Sequence, residues 1–311
     1  MAITDDVRII IKVCQLYYEE GLSQKEISAQ LGISRPQISR LLAAARNTNI
    51  VEININNPFA EETKLENELI KKYKIRDALV VNTNSVSDRE ERFEVFGQQT
   101  SNQLYAYLRD SDKIGVMSGK TISSLLNSVK TMERHGLTFI PLVGGIGAIN
   151  SEWHANVLAQ KLAEKVGGKS YMLNAPVMVK TNQVRDLLMN EPEIVSVLEI
   201  GKQCDVAIVG IGQIETNSTN VKAGALSVED INELKEANAV ASVCTSYLNH
   251  KGEIIETSFS NRSIGLTLKD LKKSKIIACA IGNSKIEAIK AALLSGYISV
   301  FMTDIETAKQ L

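Results

Sequence analysis

Residues 22–42 read LSQKEISAQLGISRPQISRLL, and this stretch predicts two short helices joined by a tight turn. Ser23 and Glu26 have the spacing of a capping box at the start of the first helix, and Ser34 and Gln37 repeat it at the start of the second. A glycine between the helices permits the turn. The apolar residues recur at helical spacing and predict a shared core, formed by Ile27, Leu31, Ile33, Ile38, Leu41 and Leu42. Together these signals indicate a helix-turn-helix.

The outer side of the second helix concentrates positive charge. From Arg35 to Thr48 the chain has three arginines and no acidic residue, whereas residues 1–56 hold six basic and six acidic residues. Arginine can donate two hydrogen bonds to guanine, glutamine can pair with adenine, and hydroxyls suit phosphate oxygens. The pattern predicts double-stranded DNA as a partner, and the alternative is a hairpin whose arginines are only solvated. The candidate DNA-binding residues are Gln24, Ser34, Arg35, Pro36, Gln37, Ser39, Arg40 and Arg46.

The residues after this motif suggest the domain organisation. Ile50 to Ile55 alternates apolar and polar residues, which predicts a half-exposed strand that forms a wing beside the DNA backbone. The predicted domains are a winged helix-turn-helix domain over residues 1–56, a charged linker helix over residues 57–76, and a larger domain over residues 77–311.

The larger domain alternates short apolar runs with amphipathic stretches. Near-continuously apolar strands separated by helices predict an α/β fold with a parallel sheet covered on both faces. The candidate strands are Ala78–Val81, Lys113–Val116, Leu137–Leu142, Ser170–Leu173, Val206–Val209, Ala239–Cys244, Lys275–Ala280 and Ile298–Met302.

Composition excludes several classes of protein. The 311 residues are 44% hydrophobic and 23% charged with a formal net charge of -1, which is typical of a globular protein. No run approaches the roughly 20 apolar residues that span a bilayer, and no secretory leader is evident, so we expect a cytoplasmic protein without membrane contact. The four cysteines are widely spaced, and the three histidines form no metal-binding motif, so we expect no metal.

Loops with phosphate-binding chemistry follow four of the predicted strands. Ligands of open parallel sheets bind beyond the carboxyl ends of the strands, where helix N-termini point their amides at anions. A glycine turn with capping hydroxyls also forms without any ligand, and that alternative stays open for each loop. The candidate residues are Ser118, Gly119, Lys120 and Thr121 in the first loop, Gly144, Gly145 and Gly147 in the second, Gly210 and Gly212 in the third, and Asn283, Ser284 and Lys285 in the fourth.

With these motifs in order, nearly the whole chain resembles the SorC family of bacterial transcriptional regulators. The resemblance rests on YYEEGLSQKEISAQLGISRPQISRLLAAAR (17–46), GVMSGKT (115–121), PLVGG (141–145), VAIVGIG (206–212), NRSIGLTLKDLK (261–272), ACAIGNSKIEAIKAAL (278–293) and GYISVFMTDIETAKQL (296–311).

The resemblance implies a winged DNA-binding domain joined to a doubly wound, Rossmann-like effector domain similar to sugar-phosphate isomerases and deaminases. It also implies a homo-oligomer, usually a tetramer, which binds a phosphorylated sugar without a cofactor and represses a carbohydrate-utilisation operon rather than acting as an enzyme. Two alternatives remain: a constitutive DNA-binding regulator with a vestigial pocket, and an isomerase or deaminase.

The resemblance assigns roles to individual residues. Ser118 to Thr121 would hold the phosphate, Gly144, Gly145, Gly210 and Gly212 would border the sugar, and Ser284 with Lys285 would close the site. Asn249 stands in a segment where the family often has an aspartate. Some members carry a lysine that forms a Schiff base where Val143 stands here, so the resemblance implies non-covalent binding in this chain.

Overall fold

The computed structural model describes residues 6–130, 133–145, 151–216, 218, 221 and 226–311. The chain divides into two compact units, of which the first ends at Pro58 and the second runs from Phe59 to Leu311.

The first unit is helical. Helix α1 spans Val7–Cys14 and continues through a π-helical turn over Gln15–Glu19, followed by α2 over Gln24–Leu31 and α3 over Arg35–Asn47. The side chains of Ser23 and Glu26 cap α2 reciprocally, with bonds of 2.8 and 3.3 Å. The turn residue Gly32 has φ +66°. These observations confirm the predicted helix-turn-helix and the local signals that predicted it.

The core of the first unit joins the three helices. Ile27, Ile38 and Leu41 are fully buried, and they pack in one cluster with Ile10 and Val13 of α1. Helix α1 is therefore part of the folded unit, because it covers the apolar face that the other two helices present.

The wing strand predicted over Ile50 to Ile55 was wrong. Residues 51–57 form no hydrogen-bonded strand, and the side chains of Ile53 and Ile55 are 59% and 80% exposed. A strand needs a second strand to receive its backbone hydrogen bonds, and the described residues of the first unit contain none. The alternation of apolar residues alone cannot supply that partner.

The second unit is built on a seven-stranded parallel sheet. Its strands are β1 Asp77–Val81, β2 Lys113–Val116, β3 Thr138–Pro141, β4 Lys169–Ser170, β5 Val206–Gly210, β10 Lys275–Cys279 and β11 Val300–Asp304. They lie in the order β1-β11-β10-β5-β2-β3-β4. The chain runs from β2 through β3 to β4 at one edge and then returns to β5 on the other side of β2. The strand order therefore reverses between β2 and β5, which is the topological switch point of a doubly wound sheet.

Helices cover both faces of this sheet. On one face α5, α6 and α7 bury a cluster that includes Phe96, Ile122 and Leu158. On the other face α4, α9 and α11 bury a second cluster that includes Leu69 and Ile289. The described helices of this unit are α4 Ala60–Tyr73, α5 Arg89–Leu104, α6 Lys120–Ser128, α7 Ala155–Val166, α8 Asn182–Leu188, α9 Pro192–Gly201, α10 Val228–Glu236, α11 Ile286–Leu294 and α12 Ile305–Ala308.

The segment Ala239–Cys244 is a strand, but it does not join the parallel sheet. It supplies β7, Ala241–Val243, to a separate antiparallel sheet in the order β6-β7-β8-β9. Only a two-residue turn separates β7 from β8, and such a short connection can form only an antiparallel pair. The other strands of this sheet are β6 Gly212–Gln213, β8 Ser246–Leu248 and β9 Ile254–Ile255.

The charged helix predicted as a linker over residues 57–76 forms, but it belongs to the second unit. Helix α4 packs against β1 and α12, and Leu69 and Tyr73 are buried there. The hydroxyl of Tyr73 donates a hydrogen bond of 2.9 Å to the backbone carbonyl of Leu311. This helix therefore anchors the end of the chain and does not bridge solvent.

Candidate functional site

Helix α3 presents one apolar and one polar face. Ile38 and Leu41 point into the core, and helical geometry places Arg40 on the opposite side, together with Ala43 and Asn47. Arg40 and Asn47 are exposed. The outer face of α3 therefore offers a guanidinium and an amide, both of which can pair with base edges. Among the predicted residues, Arg35, Ser39 and Arg46 flank this face and are also exposed, and Pro36 lies in the first turn.

Asn47 was missed by the sequence reasoning. Its position four residues beyond Ala43, on the same outer stripe, was the available signal. Gln37 has the capping role that its spacing from Ser34 predicted, because its Oε1 accepts hydrogen bonds from the backbone N–H of Ser34 at 3.2 Å and from the Ser34 hydroxyl at 2.8 Å. Gln37 therefore caps α3, and only its amide nitrogen is left for a base. Gln24 is the first residue of α2 and is half-buried.

In the second unit, loops converge beside the topological switch point. The backbone N–H of Met117 donates to the carbonyl of Ile208 at 3.0 Å, which ties the loop after β2 to β5. A Cβ built on Gly210 would lie 3.6 Å from the Ile122 side chain and 4.0 Å from the Ser118 carbonyl. The first and third candidate loops are thus brought together by strand pairing.

Ser118 has an unsatisfied hydroxyl at this place. The residue is 4% exposed, and its Oγ has no hydrogen-bond partner in the described part of the chain. A buried hydroxyl without a partner costs free energy, which a ligand that accepts or donates a hydrogen bond would offset. Gly119, the next residue, has φ +142° and precedes α6 without any side-chain cap, so the first amides of this helix lie beside the hydroxyl.

Lys120 differs from Ser118, because its side chain already has interaction partners. Its ammonium pairs with the carboxylate of Glu90 and lies 4.7 Å from the ring centre of Phe93 and 5.9 Å from that of Trp153. The predicted phosphate ligand is therefore engaged with α5 in this structure. Thr121 is 4% exposed within the first turn of α6.

Lys285, from the loop after β10, is the second element of the site. A short 3-10 turn over Asn283–Lys285 leads into α11, and within it Asn283 and Ser284 are exposed while Lys285 is partly buried. Burial of the ammonium, with added repulsion from Arg89, lowers the pKa of Lys285 to about 8. A partly buried cation without an ion pair in the described residues is suited to receive an anion.

Arg89 is a candidate residue that the sequence reasoning did not find. It opens α5, and its positive charge contributes, after burial, to the lowered pKa of Lys285, so the N-terminus of α5 lies within electrostatic range of the loop after β10. Its neighbour Glu90 pairs with Lys120, so the same helix end also faces the loop after β2. Two cations that are far apart in the sequence thus lie within electrostatic range of each other, and neither has a carboxylate partner among the described residues.

The low pKa of Lys285 leads to a stability prediction for the ligand-free protein. Its pKa in the folded state, about 8, lies below the ordinary value of 10.5, so between these values the unfolded chain binds more protons. The free energy of unfolding of the wild type therefore rises with pH across this window. We expect Lys285→Met to be the more stable form at pH 7 and to lose that advantage as the pH approaches 10, as measured by urea unfolding. An advantage that does not change with pH would contradict the burial of a charged Lys285.

Several of the glycines predicted to border the sugar also have close packing contacts within the second unit. A Cβ on Gly144 would lie 2.6 Å from backbone atoms of Ala175 and Pro176, and one on Gly212 would lie 2.4 Å from the Ser242 hydroxyl. Close backbone packing therefore requires a glycine at position 144, whereas a side chain at position 212 would displace the Ser242 hydroxyl. Gly145 exchanges backbone hydrogen bonds with Ala175 and Val177 in the same contact, and Gly147 lies outside the described residues.

Asn249 is engaged within its own turn after β8. Its Oδ1 accepts the backbone N–H groups of Lys251 and Glu253, and its Nδ2 donates to the Glu253 carboxylate at 2.8 Å. This arrangement leaves little hydrogen-bonding capacity for a ligand. The residues described by the structure also contain no group of three histidine, cysteine or acidic residues that could hold a metal ion.

Comparison with known proteins places these features in a family. The family model described as "Putative sugar-binding domain" matches residues 57–311, and the model "Sigma-70, region 4" matches residues 12–48. The sorbitol operon regulator of Klebsiella pneumoniae is 28% identical over 99% of this chain and 98% of its own length. The chain belongs to the SorC family of transcriptional regulators.

Other relatives agree with this family. The deoxyribonucleoside regulator of Bacillus subtilis (strain 168) is 28% identical over 98% of this chain and 97% of its own. The crystal structure of the full-length SorC regulator from K. pneumoniae matches with a TM-score of 0.76 over 98% of both chains. A DeoR family transcriptional regulator from Listeria monocytogenes matches with a TM-score of 0.74 and 30% identity, over 80% of this chain and 98% of its own.

Membership of the SorC family confirms two predictions. The chain combines a helix-turn-helix with a mostly parallel, Rossmann-like α/β unit, and it is a transcriptional regulator rather than an enzyme. Its family model is that of a sugar-binding domain. Separately, none of the helices formed by the described residues is long and apolar enough to cross a membrane.

Proposed function

We propose that this regulator binds operator DNA through α3 and represses a carbohydrate-utilisation operon under the control of a phosphorylated sugar. The sugar phosphate is held where the loops after β2, β5 and β10 meet the start of α5. The sugar phosphate binds one conformation of the protein more tightly than the other and thereby increases the population of that conformation. The shift in population changes DNA binding.

The observation that carries this proposal is that one edge of the sheet combines two features among the described residues. One is a buried hydroxyl without a hydrogen-bond partner, and the other is a pair of cations without a carboxylate partner. Ser118 Oγ and the first amides of α6 supply hydrogen bonds, and Arg89 and Lys285 supply positive charge without a carboxylate partner in the described chain. A phosphate group accepts both kinds of interaction.

The proposed binding is non-covalent and needs no cofactor. The position before the double glycine is Val143, whose buried aliphatic side chain cannot form a Schiff base. Reduction of the mixture of protein and sugar phosphate with borohydride is expected to leave the protein mass unchanged. A mass increase would identify a covalent intermediate and contradict this part of the proposal.

The proposed assembly is a homotetramer in the cytoplasm. Helix-turn-helix proteins read half-sites separated by whole turns of the duplex, each about 34–36 Å, and a single recognition helix reads only one of them. In a homo-oligomer, a second copy of the chain supplies the recognition helix for the other half-site. Light scattering with and without operator DNA measures the assembly directly.

The experiment that tests the proposed function measures binding to the promoter region upstream of the protein's own operon. We expect tight, sequence-dependent binding by fluorescence anisotropy, and a change of at least tenfold when the cognate sugar phosphate is added from a panel. The corresponding unphosphorylated sugars are the matched controls and are expected to have no effect. Specific DNA binding that no sugar phosphate alters would instead indicate a constitutive regulator with an unused pocket.

A further inference from the structure

A second concave site lies at the opposite edge of the parallel sheet, where the strands begin. It has a volume of about 990 Å³ and is lined by the segments that precede β1, β2, β5, β10 and β11. The sugar-phosphate site lies beyond the carboxyl ends of the same strands, so the two sites are separated by the length of the sheet. We call this second site the basic groove.

The basic groove is strongly positive. Seven of its lining residues are lysine or arginine and two are aspartate, although the whole chain carries a formal net charge of only -1. Five of the cations have exposed side chains and no ion pair within the described part of the chain: Lys74, Arg76, Arg109, Lys272 and Lys273.

Neither aspartate of the groove forms an ion pair with these cations among the described residues. Asp112 accepts a hydrogen bond of 2.8 Å from the backbone N–H of Arg109, and Asp205 accepts one of 2.8 Å from the backbone N–H of Lys113. The two remaining cations are engaged, since Lys202 pairs with Glu199 at 2.6 Å and Lys275 donates to a backbone carbonyl at 2.9 Å. The free positive charge is therefore a local feature of this groove.

The width of the groove favours an extended polyanion. It runs across five adjacent strands, β1-β11-β10-β5-β2, and four spacings of about 4.8 Å give a width of about 19 Å. A small phosphorylated molecule reaches only part of such a row. Duplex DNA carries about one negative charge for each 1.7 Å of its axis, so about 19 Å of duplex carries about 11 phosphates.

We propose that the basic groove binds the phosphate backbone of DNA, as a contact independent of base sequence and additional to that of α3. This inference rests on the proposed function, in which the protein binds operator DNA. Exposed lysine and arginine side chains on flexible stems suit phosphate oxygens, and such contacts position a protein on DNA without reading bases. The second unit thereby adds affinity, while base preference stays with α3.

The test uses the full chain with the substitutions Arg76→Gln, Arg109→Gln and Lys273→Gln, which span the groove. The matched control is Lys130→Gln, Lys180→Gln and Lys251→Gln, which removes the same charge from exposed positions outside the groove. Binding to a long operator fragment is measured by anisotropy between 50 and 250 mM KCl. Each lost phosphate contact lowers the slope of log affinity against log salt by about 0.9, so we expect the slope to fall by about 2.7 in the groove variant only.

Three further measurements separate the possible results. The ratio of operator to scrambled-DNA affinity is expected to stay at the wild-type value, and a charge-conserving variant (Arg76→Lys, Arg109→Lys, Lys273→Arg) is expected to keep the wild-type slope. An unchanged slope in the groove variant overturns the proposal, and so does a changed molar mass by light scattering, which would assign the groove to contacts between copies. If the wild type itself shows no operator preference, the proposed function fails instead.

Discussion

An Arg35→Ala/Arg40→Ala double variant is expected to lose most of its preference for operator DNA over scrambled DNA of equal length. Both side chains are exposed on α3, and Arg40 lies opposite the buried face of the helix. Loss of one bidentate contact with guanine costs about 1–3 kcal/mol of discrimination. The double variant therefore loses about 2–6 kcal/mol, or about 30-fold to 20,000-fold in relative affinity. Competition binding by fluorescence anisotropy measures this ratio.

The matched control for this variant is Arg8→Ala/Lys12→Ala. These two exposed cations of α1 give the same change in charge without altering α3. We expect the control to weaken binding to all DNA sequences equally, if at all, because contacts with phosphate carry no base information. A double variant of α3 that keeps the wild-type operator preference would show that α3 does not read the bases.

An Arg89→Gln/Lys285→Gln double variant is expected to bind the cognate sugar phosphate at least 100-fold more weakly. A hydrogen bond to a charged group contributes about 1.5–3 kcal/mol, and two of them are removed. Removal also relieves the repulsion between these like charges, so the variant is expected to remain folded. Isothermal titration calorimetry measures the affinity, and thermal unfolding checks the fold. DNA binding without effector is expected to stay at the wild-type level.

The pH dependence identifies the role of Lys285 within this pair. With a pKa of about 8, its ammonium loses its proton as the pH rises through that value. Wild-type affinity for the sugar phosphate is therefore expected to fall above about pH 8, whereas the affinity of the double variant stays flat. Lys290→Gln is the control on the same helix, since Lys290 already pairs with Glu287 at 3.3 Å. Affinity of the double variant within twofold of wild type would exclude these cations from the site.

Local signals were sufficient to predict much of this fold. The helix-turn-helix followed from capping pairs such as Ser23 with Glu26 and from apolar residues one turn apart, because these interactions join residues close in sequence. The central parallel strands were found for a similar reason, since a strand buried on both faces is apolar along its length. The edge strand β4 was not, because it is the exposed pair Lys169–Ser170 and not the predicted Ser170–Leu173. The loops with phosphate-binding chemistry could also be located, because they follow those strands directly.

Pairing between distant segments could not be predicted in the same way. The alternating residues from Ile50 to Ile55 suggested a strand, but their exposure shows that no partner strand covers them. Gly144 suggested a ligand contact, and the structure shows that close packing against the backbone of Ala175 and Pro176 also requires a glycine there. In each case the outcome depends on whether a segment distant in the sequence packs against these residues. A hydropathy pattern does not contain that information.

The sequence by itself determined a helix-turn-helix with a positively charged recognition helix, an α/β unit and the family to which the chain belongs. Only the tertiary structure decided which candidate residues meet. It leaves Ser118 Oγ without a hydrogen-bond partner among the described residues, pairs Lys120 with Glu90, and brings Arg89 within electrostatic range of Lys285. The physical reason is that capping and periodicity act over a few residues, whereas burial and electrostatic repulsion depend on which distant strands lie side by side.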